Sequence, residues 1–191
     1  MARIVVTNNL TLDGVMQAPG GVDEDSRDGF AHGGWAAPYN DSVKWGEMAK
    51  GMAQTGALLL GRRTYEHFYS YWPHQADNPF TDALNNTQKY VASTTLREPL
   101  PWMNSTLLGS DVPKAVAELK EQPGRDVVIL GSGELVRALA REHLIDVYVL
   151  LIHPLVLGSG RRLFDDDGYA TLHLAGSVTT GTGVIIATYQ T

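Results

Sequence analysis

Short apolar runs alternate with stretches of helical periodicity along most of this chain. Ile4–Val6, Ala57–Leu60, Val127–Leu130 and Ile145–Ile152 are runs of Val, Ile, Leu and Ala with almost no polar interruption. That is the pattern of strands buried on both faces. Lys89–Ala92 reads as a further strand and Thr106–Leu108 as a weak one. Between these runs the spacing turns helical. Trp45, Met48, Ala49, Met52 and Ala53 form one stripe, capped by Asn40 or Asp41 and closed by Gly56. A Met-and-Trp stripe of this kind is read as core. Tyr65, Phe68, Tyr69 and Trp72 form an aromatic face that ends at Pro73, with a helical turn near Thr81–Leu84. Val112, Ala115, Val116 and Leu119 follow an Asp111 cap with Pro113 in the first turn, and Leu135, Ala138 and Leu139 recur after Gly133. Thr171–Ala175 and Val184–Tyr189 are joined by a Gly/Thr-rich connection typical of an antiparallel pair. The alternation predicts one α/β domain over residues 1–191: a mainly parallel central sheet flanked by helices, with an antiparallel C-terminal edge.

Two segments break the pattern. Residues 10–34 are Gly-rich and acidic (Asp13, Asp23, Glu24, Asp25, Asp28) and carry almost no periodicity. A loop this long inside a compact domain is usually functional or disordered, so it is read as a mobile lid, with disorder competing over residues 20–34. The second, HPLVLGSGRRLFDDDG, contains the acidic run Asp165–Asp167, expected to be solvated.

Composition narrows the function classes. The chain has 191 residues, a formal charge of −6 and no Lys/Arg-rich run, which argues against nucleic acid as a partner. It has no cysteine, which removes disulfides and thiolate chemistry. Its first apolar run is too short for a signal peptide and no stretch approaches a membrane span, so a soluble cytoplasmic protein is expected. The six histidines show no metal-ligand spacing, and no metal site is expected; His67 and His74 fall near the expected pocket.

Candidate chemistry gathers at three strand ends. Gly131, Ser132 and Gly133 turn a strand into a helix, and so does Gly61 before Arg62, Arg63 and Thr64. Unpaired N–H groups at such a helix start attract phosphate, although a tight turn with no ligand is the ordinary occurrence. The Gly131 turn lacks the full dinucleotide fingerprint, because Val136 stands where its third glycine belongs. Two arginines at the end of a buried parallel strand lie where open α/β sheets bind ligands, and a guanidinium takes a phosphate bidentately. Ser93, Thr94 and Thr95 close the third strand end, either as turn formers or as hydroxyls suited to a ribose or a 2′-phosphate.

LTLDG, LLLGRRTYE, KYVASTTL, VVILGSGELVRAL and LIDVYVLLIHPLVLGSGRRLF, in that order, resemble the dihydrofolate reductase-like family. More narrowly, they are similar to the reductase domain of the riboflavin-biosynthesis deaminase-reductase. The resemblance implies a dihydrofolate reductase-like fold, NADPH as cofactor, hydride transfer to a small heterocyclic substrate (pterin- or pyrimidine-like) and a homodimer. It also assigns residues. Gly61, Arg62, Arg63 and Thr64 match the segment beside the adenosine phosphates, and Ser93 and Thr94 the 2′-phosphate contacts. Gly131, Ser132, Gly133 and Glu134 match the turn beside the pyrophosphate and nicotinamide. Asp13 and Gly14 match the loop that closes over the nicotinamide. In these families the bond equivalent to Gly131–Ser132 is typically cis, so a cis or strongly strained peptide is expected there.

The departures fall on the substrate half. Riboflavin reductases usually carry a lysine directly after LDG, where this chain has Val15. Dihydrofolate reductases place a pterin-binding carboxylate in the first helix, where the register from Gly61 gives Trp45, flanked by Asp41 and Glu47. Asp41 and Glu47 are therefore the candidates for proton relay, with capping or surface roles as the competing reading. A non-catalytic nucleotide-binding or scaffold protein is the alternative to a reductase.

Overall fold

The computed structural model describes residues 1–75, 78–164 and 170–191. Eight strands form one sheet: β1 (Ile4–Thr11), β2 (Thr55–Gly61), β3 (Gln88–Ala92), β4 (Ser105–Leu107), β5 (Asp126–Leu130), β6 (Val147–His153), β7 (His173–Thr179) and β8 (Ile185–Gln190). Their spatial order is β4-β3-β2-β5-β1-β6-β8-β7. From β4 across to β6 every pairing is parallel, and β6–β8 and β8–β7 are antiparallel. The predicted architecture is the observed one. The acidic run Asp165–Asp167 lies outside the described residues.

The helices are α1 (Ser42–Gln54), α2 (Arg62–Tyr71), α3 (Pro79–Asn86), α4 (Val112–Glu121) and α5 (Gly133–Arg141). Apolar residues of α4 and α5, among them Val116, Leu135 and Leu139, pack with Ile4, Val6, Leu59 and Ile129 on one face of the sheet. Tyr65 of α2 and Leu84 of α3 pack with Val5, Leu58, Leu60 and Val128 on the other. The aromatic face of α2 is core as expected: Tyr65 is buried, and its hydroxyl accepts from Trp102 N at 3.0 Å.

One polar residue is built into this second core. Lys89, at the start of β3, is fully buried. Its ammonium donates to Leu84 O (2.7 Å), Thr87 O (2.7 Å) and Asn85 O (3.3 Å), and sits 4.5 Å from the centroid of the Trp102 ring. A strand residue thus terminates α3 by satisfying the carbonyls its last turn leaves unpaired. Burial pulls the Lys89 ammonium down to about 8. Lys89→Met should keep the apolar stem but orphan three acceptors, lowering stability by about 2 kcal/mol. A urea midpoint unchanged at pH 7 would contradict that cap.

The helix α1 departs from the expected pattern. Its Met-and-Trp stripe is not core: Trp45 is exposed, Met48 and Met52 are half-buried, and Lys44 is the one buried residue of the helix. The physical reason is an open cleft between α1 and the sheet, with Met48 and Met52 on one side and Thr7, Val149 and Leu151 on the other. The stripe is only partly covered: Met52 packs against the core that holds Val5, Leu58 and Val128, while Trp45 and Met48 border the cleft.

Candidate functional site

The cleft is open, with a volume of about 1690 Å3, and its lining runs from Arg3 and Asp126 at the N-terminal strand ends, past α1, to the C-terminal ends of the parallel strands. Open α/β sheets bind ligands at that edge because helix N-termini converge there. Gly61, Arg62, Arg63, Thr64, Ser93, Thr94, Gly131, Ser132, Gly133 and Glu134 all line it, so three strand ends far apart in sequence are brought together.

Adjacent strands explain how. β2 and β5 are neighbours, which sets the Gly61 and Gly131 junctions side by side. Ser132 stitches them: its Oγ accepts from Gly61 N at 3.0 Å and lies 3.0 Å from Thr64 Oγ1, while Ser132 N donates to the same Thr64 oxygen at 3.2 Å. Gly131 and Ser132 both take left-handed conformations, with φ of 60° and 53°. For serine this costs energy and persists only where contacts enforce it. The cis bond expected at Gly131–Ser132 is not there. The bond is trans, and the two left-handed residues with the Thr64 contacts turn the chain instead.

Capping differs among helices whose N-termini border the cleft, with Asn78 of α3 and Val112 of α4 in the lining too. Asp41, Asn78 and Asp111 cap α1, α3 and α4, each accepting from a first-turn N–H. The N-termini of α2 and α5, which face the cleft, have no side-chain cap. Their first N–H groups remain available to an anion. Neither Arg62 nor Arg63 has a carboxylate partner among the described residues. Gly61 pairs with Ala92, so Arg62 and Ser93 leave the sheet next to each other. Ser93 Oγ accepts from Thr95 N and Leu96 N at 3.1 and 3.0 Å; it forms a turn and lines the cleft at once. At Gly133 an added Cβ would meet Met16 Sδ at 2.5 Å, which shows how closely the long loop comes down on α5.

That loop is not the loose lid expected from its composition. Buried Gln17 ties it together, donating to Asp25 O and Arg27 O at 3.2 and 3.1 Å and accepting from Arg161 N at 2.9 Å. Trp35 Nε1 donates to Gln17 O at 2.7 Å. Arg161 bridges Asp28 (2.8 Å) and Glu134 (3.4 Å), and Arg27 pairs with Asp25. Asp25 and Asp28, among the acidic residues that suggested disorder, are therefore partners for arginines, and Glu24 accepts from Gly20 N and Gly21 N. Gly160 takes φ of 117°, and a Cβ there would meet Phe30 and Val15 at 2.7 Å. Val15, where a lysine was the family expectation, is fully buried in this contact.

Three of the assigned residues, Asp13, Gly14 and Asp41, lie outside the cleft lining, and a fourth, Glu47, lines it with its carboxylate already paired. Asp13 accepts from Leu157 N (3.2 Å) and Gly158 N (2.8 Å), and Gly14 O accepts from Leu163 N at 3.1 Å, so the pair joins two loops. The Thr11 hydroxyl and those backbone N–H groups hold the Asp13 carboxyl below its ordinary range. Asp41 Oδ1 accepts from Lys44 N at 2.8 Å and its Oδ2 from Thr182 N at 3.2 Å. These backbone bonds, that from Lys44 foremost, keep it ionised and ill suited to passing a proton. Glu47 reaches the cleft but is paired with Lys50 at 2.7 Å. His67 lines the cleft and His74 does not.

Sequence reasoning missed Lys44, Asn9 and His153. Lys44 and Asn9 line the cleft below α1, and fully buried His153 lies 3.3 Å from the Lys44 ammonium. The signal was present: Lys44 is in phase with Met48 and Met52, a lone charge on an apolar stripe, and His153 continues the inward phase of Val147, Val149 and Leu151. What periodicity cannot say is that the two meet.

A mainly parallel sheet with an antiparallel edge carries an anion-suited cleft at its strand ends, and the comparisons with known proteins match it to a reductase-type α/β fold. The family model of the RibD C-terminal domain matches residues 2–186, and the chain belongs to that family. It is 29% identical over 175 residues to the uncharacterized protein YyaP of Bacillus subtilis, covering 85% of this chain and 89% of that one. A putative riboflavin biosynthesis protein from Shewanella sp. PV-4 shares the fold with a TM-score of 0.69 at 20% identity, over 100% of this chain and 98% of that one. Dihydrofolate reductase from Enterococcus faecalis, solved with NADP(H), gives 0.59 at 14% identity, over 98% and 94%. Among the described residues no helix is long and apolar enough to cross a membrane.

Proposed function

We propose that this chain is an NADPH-dependent reductase that passes a hydride to a small heterocyclic substrate, pterin- or pyrimidine-like, held in the cleft beneath α1. The observation that carries this reading is the pair of uncapped helix N-termini, stitched together by Ser132, with two arginines beside them that have no carboxylate partner among the described residues. The cradle fits a dinucleotide phosphate. First-turn N–H groups of α2 and α5 suit the pyrophosphate, and Arg62, Arg63, Ser93 and Thr94 suit a 2′-phosphate. When bound, that cofactor supplies the hydride; the protein's own part is orientation and exclusion of water.

Met16 against Gly133, and the loop pinned by Gln17 and Arg161, cover the α5 end of the cleft. Thr7, Asn9 and Lys44 converge below, where a second ligand would lie against Val149 and Leu151. A hydride delivered to a C=N or C=O carbon leaves its electron pair on the heteroatom, which must then take a proton. Asp41 and Glu47 are both engaged elsewhere, and this favours a second reading, a binding protein that kept the cradle without turnover. The homodimer implied by the family resemblance has an uncovered surface at β7, an edge strand exposed along its whole length.

A thermal-shift panel with NADPH, NADH and FMN tests the proposal. Binding to the folded state adds RT ln(1 + [L]/Kd), about 2.7 kcal/mol at a hundredfold excess over Kd. NADPH should raise the midpoint most. No response to either nicotinamide cofactor would sink the reductase reading, and a response without NADPH consumption on any heterocycle would favour the binding protein.

A further inference from the structure

Lys44 is a buried cation with no ion-pair partner among the described residues. It is 4% exposed and lines the cleft. Its Nζ lies 3.3 Å from His153 Nε2, and that is its one hydrogen-bond partner among the described residues. The state of the imidazole follows from its other nitrogen. His153 Nδ1 lies 2.9 Å from Leu151 O and 3.3 Å from Leu10 O. Carbonyls only accept, so Nδ1 carries the proton and Nε2 offers a lone pair to the ammonium. The rings of Trp35 and Tyr39 meet the imidazole edge-on, at centroid distances of 5.1 and 5.5 Å, and fix its plane.

The nearest carboxylate, Asp41, is one turn back and directs both oxygens to backbone N–H groups. Burial pulls the Lys44 ammonium below its ordinary range, against the opposing pull of Asp41. The ammonium has three N–H groups and one acceptor. On the same sheet face Asn9 pairs with Leu151, one pleat from His153, and its Oδ1 is buried with no partner among the described residues. An orphan acceptor and an undersupplied cation in one cleft are both satisfied by the same incoming group.

We propose that Lys44, aimed by His153, selects the second ligand of this cleft, and that this ligand presents an anionic or carbonyl oxygen to Lys44 beside an N–H for Asn9. A cationic heterocycle of the same shape is rejected, because it would bring a like charge to a desolvated ammonium. This deepens the reductase reading, on which it rests only for the ligand's role as hydride acceptor.

The test uses three probes with one ring and three charges: benzoate, benzamide and benzamidine. They are titrated into the full chain carrying 13Cε-labelled lysine, with and without NADPH. The Lys44 resonance is identified by its loss in Lys44→Arg. Benzoate and benzamide should both shift that resonance and bind about tenfold or more tighter than benzamidine; benzoate raises its apparent pKa, and benzamide, which alone of the two brings an N–H to Asn9, loses affinity in Asn9→Leu. Lys44→Glu should reverse the order. If that variant does not fold, Lys44→Met should lose the benzoate preference without changing the response to NADPH. A Lys44 resonance unmoved by benzoate, or moved equally by benzamidine, overturns the proposal. Loss of the NADPH response with the charge preference intact would sink the reductase reading alone.

Discussion

Replacing Arg62 and Arg63 together by alanine is expected to weaken NADPH binding by about a hundredfold or more while changing NADH binding by less than about threefold. Both residues occupy the first turn of α2, whose N-terminus has no side-chain cap. Gly61 pairs with Ala92, which places the arginines next to Ser93 and Thr94 at the cleft edge. Only the 2′-phosphate distinguishes the two cofactors, so only contacts to it separate their affinities. A charge-assisted hydrogen bond is worth roughly 1.5–3 kcal/mol, and two guanidiniums on one phosphate are not additive, hence the conservative factor. The fold should survive, because neither side chain has an ion-pair partner among the described residues to lose. Isothermal titration of both cofactors against both proteins decides it. Equal losses for NADPH and NADH would reduce the arginines to general attraction for phosphate, and no loss would remove them from the site.

The legibility of the fold and of the site differed for one physical reason. Features set by neighbours in sequence were readable; features set by neighbours in space were not. The Gly61 and Gly131 junctions announce themselves locally, as an apolar strand, a glycine and a helical stripe. The Asp111 cap was legible in the same way and accepts from Lys114 N at 3.1 Å. The bond between Ser132 and Thr64 was not, because it depends on β2 and β5 lying side by side after a long separation in the chain. Composition misled twice. Acidic residues in the 10–34 loop suggested repulsion and mobility, yet Asp25 and Asp28 meet Arg27 and Arg161. The Met-and-Trp stripe of α1 had the right period for a core face, but Met52 packs into the core while Trp45 and Met48 border the cleft. Period reports which residues share a face; it is silent on whether another layer fills the space opposite.

Acid should unfold this protein through His153 before its carboxylates are involved. The imidazole is fully buried, and burial first, then the Lys44 charge, lower it from 6.5 to about 4, against hydrogen bonds to Leu151 O and Leu10 O. The folded state therefore keeps His153 neutral in a range where the unfolded chain binds a proton. Stability rises with pH wherever the unfolded state binds more protons, so it is full above about pH 6.5 and falls toward pH 4. A drop of that size corresponds to on the order of 3 kcal/mol. Asp13, Asp25 and Asp41, each held below its ordinary range by hydrogen bonds, lose their contribution at lower pH, as their own depressed values are crossed. His153→Gln keeps a polar group but cannot titrate. It should be less stable than the natural protein at pH 8 and nearly as stable at pH 4.5, so the two stability curves converge on acidification. Urea midpoints at pH 8, 6.5, 5.5 and 4.5 measure the difference directly, and parallel curves would contradict a neutral buried imidazole. The structure also says where the loss begins. Protonated His153 would set a second positive charge 3.3 Å from Lys44, between β6 and α1. Hydrogen exchange should therefore quicken in Ser42–Gln54 at pH 5.5 while the amides of β1 and β5 at the centre of the sheet stay protected.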